Sequence, residues 1–389
     1  MREPPPTALW SRPFATTLVA TALFFGAFGL TLPVLPRFVV ERLGGGDLAV
    51  GVVFASYAIS AVLFRPWLGR LGDRRGRRRL LLLGCGVTAL GLAGHLLATT
   101  LFTLIVARLV VGVGQAATMI AATTLALDHA PLLRRGEASS YVLVAIQVGV
   151  GIGPVAGELL ADRSFELAWL GAAATCLLTG VLAATLPTPV PPSYLVPRGQ
   201  PPERASLMNL HAGALRPGVL VGLGTFGFAG YLAFAPLYAA TIGIERIALL
   251  FVLASGTVVV VRTLAAKLTD RLGARQVATA SLVLLTIGFV LMGMWPAAVG
   301  LYAGTVVMAS GTSLLAPALI LAATTDTPEH ERTQVMGTFT LFIDLATALG
   351  PGFLGVVAAV SNYRFAFLIA GTASAIGAWL VRRSLPRNR

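Results

Sequence analysis

Residues 65–78 read Arg-Pro-Trp-Leu-Gly-Arg-Leu-Gly-Asp-Arg-Arg-Gly-Arg-Arg, and residues 262–275 read Arg-Thr-Leu-Ala-Ala-Lys-Leu-Thr-Asp-Arg-Leu-Gly-Ala-Arg. At one constant offset, Arg65, Leu71, Asp73, Arg74, Gly76 and Arg78 recur as Arg262, Leu268, Asp270, Arg271, Gly273 and Arg275. Each stretch closes one long apolar run and opens the next. A charged hairpin repeated between hydrophobic segments is the mark of a membrane protein assembled from two similar halves.

Working outward, the chain divides into twelve apolar runs, centred near residues 26, 59, 90, 113, 150, 176, 229, 256, 286, 311, 347 and 373. Each is about twenty residues long, the length a helix needs to cross a hydrocarbon core of about 30 Å and twice what a barrel strand needs. Hydrophobic residues make up 56% of the chain and charged ones only 12%, so little is left for a soluble domain. Helices are expected, because every backbone polar group must be satisfied within the span itself. The 43 glycines suit close helix approach in lipid, where no hydrophobic drive holds helices together.

The repeat extends past the hairpins. Phe28 and Pro36 of the first run match Phe228 and Pro236 of the seventh; the loop with Asp128 and Arg134 matches that with Asp326 and Arg332; Gly153-Pro154 matches Gly350-Pro351. Six runs therefore repeat as six in one orientation. The predicted fold is all-α and integral to the membrane, with twelve transmembrane helices in two pseudo-symmetric six-helix bundles. The predicted segments are an N-terminal stretch (1–13), a first bundle (14–187), a Pro-rich linker (188–216), a second bundle (217–381) and a tail (382–389). Within the linker, Leu195-Val196-Pro197-Arg198-Gly199 resembles a thrombin cleavage sequence.

A net charge of +13 in a soluble protein would suggest a nucleic-acid partner. Here its placement is topological. With the N-terminus on the cytoplasmic side and alternating crossings, all but Arg37, Arg42, Arg108, Arg163, Arg246 and Arg364 of the 29 basic residues fall on that side. The positive-inside rule then puts both termini in the cytoplasm of a cell that carries the protein in its inner membrane, with no nucleic-acid partner expected. The first run extends to about Val40 without a small-residue cleavage site, and is read as a retained helix. Cys85 and Cys176 lie inside predicted spans, which argues against a disulfide or a thiolate metal site.

At these residues the chain resembles the major facilitator superfamily. Gly69-Arg70-Leu71-Gly72-Asp73-Arg74-Arg75-Gly76-Arg77-Arg78 is similar, at every defined position, to that family's cytoplasmic loop signature, and the second copy is degenerate at Ala266 and Ala274. Arg108 with Gly112 and Gly114 resembles a fourth-helix motif. Gly149, Gly153, Pro154 and Gly157 resemble a fifth-helix motif of proton-coupled exporters, departing from it at Glu158, with Gly350 and Pro351 as its counterpart. Pro33, Pro36, Arg65-Pro66 and Asp344 look like the bacterial sugar-efflux-like exporters. The resemblance implies a secondary transporter, not an enzyme. It would work without a cofactor or metal, as a monomer, exchanging protons for a small amphipathic or sugar-like molecule. The alternative is a proton- or solute-coupled uptake symporter of the same fold.

The residues carry their own logic. Asp73, among six arginines at a helix end, is expected to be ionised and paired. With Gly69, Arg74, Gly76, Arg77, Arg78 and their counterparts Asp270, Arg271, Gly273 and Arg275 it can latch the two halves in one state. The alternative is that the arginines only fix topology and contact anionic lipid. Asp344 falls near the bilayer midplane, where a charged side chain costs about 2.5–3.5 kcal/mol on insertion scales. Its counterpart is neutral Gln147, so the charge stands on one side of a pseudo-symmetric site, as a proton-coupling group would; a static pair with another helix is the competing reading. The Gly-Pro face it shares should line the boundary between the halves. Arg108 either tunes a nearby carboxylate or pairs with Glu158, and Gln115 shares its helix face. Phe28, Tyr57, Phe228 and Tyr231, with Gln115 and Gln147, are candidates for a substrate cavity. His95 is expected to be a packing residue. No phosphate-binding loop and no His-Glu-x-x-His occurs, which disfavours a nucleotide-driven pump and a metalloenzyme.

Overall fold

A computed structural model describes residues 9–131, 134–187, 210–265, 271–325, 327–328 and 331–384. Every apolar run becomes a helix: α1 Arg12–Arg37, α2 Asp47–Arg75, α3 Arg77–Gly94, α4 Leu101–Asp128, α5 Arg135–Ala161, α6 Phe165–Ala184, α7 Ala212–Thr241, α8 Ala248–Leu264, α9 Ala274–Met294, α10 Ala298–Thr324, α11 Arg332–Val360 and α12 Tyr363–Ser384. Eleven are long and apolar enough to cross a bilayer; α8, equally apolar, is 17 residues long. Each helix contains the centre of its predicted run.

Local chemistry sets the ends. Ser11 accepts the Phe14 amide and caps α1, with Pro13 in the first turn, where its missing N–H costs nothing. Thr100 and Thr103 close a reciprocal capping box on α4. Between α2 and α3, and again before α9, the chain turns at Gly76 (φ 92°) and Gly273 (φ 81°), a backbone region open in practice only to glycine. The linker differs from expectation at its end: α7 begins at Ala212, so Arg216 and Pro217 lie in the helix. His211 sets that start, its Nδ1 accepting the Gly213 amide. Linker residues 188–209, with the thrombin-like stretch, lie outside the described residues.

Packing repeats with the sequence. In the first half α1 packs on α5 and α6, α4 on α2 and α3, and α3 on α6; in the second, α7 packs on α11 and α12, α10 on α8 and α9, and α9 on α12. The halves meet mainly through α2 against α11 and α5 against α8, two pairs that the pseudo-twofold exchanges, with a smaller contact of α1 on α7. Large apolar side chains such as Leu90, Phe102, Ile152, Leu177, Val181, Leu349 and Phe353 stay exposed around the outside. An apolar surface of that extent is what a bilayer would cover.

Glycines set how close the helices come. A Cβ on Gly149, Gly153 or Gly157 would stand 2.3, 2.2 or 2.1 Å from the backbone carbonyls of Ala22, Gly26 or Leu30 on α1. The α5 motif is thus a packing face against α1 within one half. Pro154 and Pro351 lie inside unbroken helices. Gly350 makes the equivalent approach to Phe226 of α7. Across the boundary it is Gly51 that admits the Pro351 carbonyl and Gly355 that faces Asp47, while Gly151 meets Ser255.

Candidate functional site

Polar contacts between the halves have a polarity along the helix axes. At the end opposite the hairpins, the Glu158 carboxylate accepts the backbone amides of Ile247 (2.9 Å) and Ala248 (2.8 Å) and so caps α8, where the helix dipole favours an anion. At the same end the Tyr363 hydroxyl donates to Asp47 at 2.6 Å. Nearer the hairpins, about midway along α11, Arg65 of α2 meets Asp344 at 2.6 Å. Among the described residues this is the one ion pair that joins the two halves. Both partners are half-buried, with side-chain exposures of 33% and 18%. Asp344 therefore has a counter-ion on the opposing half, and Pro351, two turns away on the same face, also points at α2.

Beyond that pair, toward the hairpins, no hydrogen bond or ion pair among the described residues links the halves. Asp73 is exposed and makes no ion pair there, contrary to the expectation that it would be paired. Arg74 is exposed as well, and a Cβ on Gly69 would meet nothing within 4 Å. Three of the other hairpin arginines make contacts inside their own half. Arg77 pairs with Asp128 at the end of α4, and Arg78 donates to the carbonyl of Ala184 at the end of α6. Arg275 repeats the latter, donating to the Arg382 carbonyl of α12 at 2.7 Å. A guanidinium on the last carbonyls of a helix satisfies groups that have no partner in the helix. Arg271 and Gly273 sit in the second hairpin, and Asp270 lies outside the described residues.

Arg108 sits apart from every carboxylate. It is 1% exposed and has no ion pair; its Nε and Nη1 are buried with no hydrogen-bond partner. Its guanidinium lies 4.8 Å from the centre of the Tyr57 ring and 5.9 Å from that of Phe54, a cation–π arrangement. The pairing with Glu158 weighed from sequence is not formed, because Glu158 is committed to α8. Gly112, one turn on, accommodates the Tyr57 carbonyl and brings α4 against α2, and Gly114 meets Thr88 on α3. Arg108 and Gln115 border a small cavity of about 10 Å³ between α1, α3 and α4, room for about one water, with Phe24, Phe28, Thr88 and Leu92 around it.

The other cavity candidates are dispersed. Tyr57 packs on Phe28 with ring centres 5.5 Å apart and lies within electrostatic reach of both Arg108 and Asp344. Gln147 is half-buried on α5. Phe228 and Tyr231 stack on α7, and Tyr231 is fully buried, its hydroxyl 3.1 Å from Thr305 and 3.4 Å from the Leu250 carbonyl, which ties α7 to α8 and α10. His95 packs its ring 4.7 Å from Trp169 and bonds the Gly91 carbonyl through Nδ1, as a packing residue would. Sequence reasoning missed two residues. Glu158 was noted for departing from a glycine motif and as a candidate partner of Arg108, and Arg65 for recurring as Arg262 and preceding the hairpin; neither has a local signal that names its actual partner on another helix.

Comparisons with known proteins agree with this architecture. The Major Facilitator Superfamily profile matches residues 17–266 and 242–389. A Pseudomonas aeruginosa PAO1 protein described as an uncharacterized MFS-type transporter is 30% identical over 99% of this chain and 98% of its own. Another so described, from Salmonella typhimurium, is 27% identical over 95% and 96%. Among solved structures, a bacterial homologue of the human lysosomal transporter Spinster, in an inward-facing and occupied conformation, superposes with a TM-score of 0.79 at 15% identity, covering 96% of this chain and 97% of that one. The nucleoside transporter NupG superposes at 0.73 with 17% identity, covering 96% and 99%. With two repeated six-helix halves, the signature hairpin and these matches over nearly its whole length, the chain belongs to the major facilitator superfamily of membrane transporters.

Proposed function

We propose that this transporter exports a small amphipathic or sugar-like molecule in exchange for protons, by alternating access of a site between its two halves. The observation that carries the reading is the Arg65–Asp344 pair, a carboxylate midway along one half held by a cation from the other. Protonating Asp344 removes the charge that holds Arg65, so a proton changes the force between α2 and α11. A group whose protonation alters the contact between the halves can couple a proton gradient to their rocking. Arg108 has no part in that step.

Under the positive-inside assignment the hairpins face the cytoplasm of an inner membrane, with both termini on that side. The protein then stands closed on its outer side through Glu158 and Asp47, and poised to take substrate from within. It acts as a monomer, since each chain holds both halves of the site. The test is substrate flux in proteoliposomes across a compound panel, with and without an imposed pH gradient. Asp344→Asn, the permanently protonated mimic, should abolish gradient-driven transport while sparing substrate binding. Gradient-driven flux of wild-type magnitude in a folded Asp344→Asn protein removes Asp344 from coupling.

A further inference from the structure

We infer that Glu158 is a gating residue, whose hold on α8 sets the balance between the state closed at the end opposite the hairpins and the state open there. Each carboxylate oxygen accepts one backbone amide, Oε1 from Ile247 and Oε2 from Ala248. The helix cannot supply this cap itself. Its N-cap residue, Ile247, makes no side-chain cap, and Ile247 and Ala248 are buried, at 6% and 5% exposure. The helices α4, α6 and α12 start at the same end and are capped from their own sequence, by Thr100, Ser164 and Asn362. A cap taken from the other half lasts only while the halves touch there. Parting them at this end leaves two α8 amides without their charged acceptor, while α4, α6 and α12 keep theirs. Glu158 therefore favours one state of the whole molecule over the other, which a cap within one half does not.

The two seams between the halves differ at this point. Two turns from Glu158 on the same face of α5, Gly151 lies against Ser255, so the α5–α8 seam is close-packed up to the clasp. At the offset of the repeat, Glu158 corresponds to Gly355, which faces the Asp47 backbone carbonyl and carries no acceptor of its own. The clasp thus stands on one seam alone, at the position where α5 departs from its glycine motif. The Asp47–Tyr363 contact remains at the same end, so loss of Glu158 shifts the balance without removing all closure. The inference deepens the proposed alternating access and rests on that reading only for the opening and closing of the two ends.

The test reads conformation in proteoliposomes of the full-length protein with no substrate and no pH gradient, so that failure of proton coupling or of the substrate class cannot mimic it. Cys85 and Cys176 are replaced by alanine. Ser255→Cys, in the seam at 6% exposure, is labelled with a membrane-impermeant maleimide, and Glu245→Cys, exposed just before α8, normalises the rate. Gly69→Cys with Gly337→Cys reports closure at the hairpin end by crosslinking. Glu158→Gln keeps one acceptor and turns its own N–H groups on the other amide. It should raise Ser255→Cys labelling about tenfold, and the hairpin crosslink with it. Ile247→Pro removes one donor at a φ of −67° that proline adopts freely, and should shift both readouts the same way with Glu158 intact. Thr100→Ala, which removes the cap that α4 makes for itself at the same end, should move neither. Unchanged labelling in folded Glu158→Gln and Ile247→Pro overturns the inference. Faster labelling without a rise in the crosslink also overturns it, as local fraying of α8, and so does an equal shift in Thr100→Ala, as general loosening.

Discussion

Asp344 and Arg65 show how a single charge is made tolerable inside a membrane. Alone near the midplane, either would cost about 2.5–3.5 kcal/mol on insertion scales. At 2.6 Å the two charges pair, though Arg65 Nε is left without a hydrogen-bond partner and both side chains keep partial access to solvent, which weakens the attraction below that of a fully buried pair. Removing one partner strands the other. Asp344→Asn and Arg65→Gln should therefore each lower thermal stability, and the double variant should lose less than their sum. The expected coupling is about 1–2 kcal/mol, read from unfolding midpoints of the four proteins in detergent. Strict additivity would show that the pair makes no net contribution in this conformation. Arg108 is the contrasting residue, a charge with aromatic faces around it and no counter-charge.

At the scale of the element, glycine decides which helices touch. The Gly149, Gly153 and Gly157 row lets α5 lie on the backbone of α1, with a Cβ at Gly153 placed 2.2 Å from a carbonyl oxygen. Backbone cannot yield as a flexible side chain does, so Gly153→Ala forces the two helices apart. We expect it to destabilise the first half by about 1–3 kcal/mol, as overpacking commonly does. Gly256→Ala is the control, since it sits exposed on α8 with nothing within 4 Å of its Cβ and should be neutral or stabilising by up to about 1 kcal/mol. Equal midpoints for the two variants would show that α1 and α5 can shift freely. The same comparison reads the sequence motif as a packing device, independent of any role in proton coupling.

For the whole molecule, the contacts between halves are uneven: two carboxylate clamps at one end, one ion pair midway, and none among the described residues at the hairpins. If Asp73 latches the halves, it does so in a conformation in which the hairpin ends have closed. Gly69 on α2 and Gly337 on α11 both have open space at the Cβ position. Cysteines at these two sites, with Cys85 and Cys176 replaced by alanine, report that closure. Their crosslinking should rise when proteoliposomes are energised by a pH gradient, and Asp73→Asn should lower the energised yield by up to about fivefold, the effect of losing one exposed charge contact. An unchanged yield would reduce the hairpin to a topology signal.

The number of helices, their extents, the six-and-six repeat and the turn glycines 76 and 273 were legible in the sequence. Hydrophobic run length, charge placement and backbone freedom are local properties, and each is written into a few consecutive residues. The Asp344 carboxylate and the polar stripe of Arg108 and Gln115 were legible for the same reason, as exceptions inside apolar runs. Their partners were not. That Asp344 faces Arg65, that Glu158 reaches across to α8 and leaves Arg108 without a carboxylate, that Asp73 stands unpaired, and that the α5 glycines face α1 all depend on which helices lie side by side and in what register. In lipid that choice rests on the fit of small residues and on pairs of charges far apart in the chain. Only the packed tertiary structure decides it.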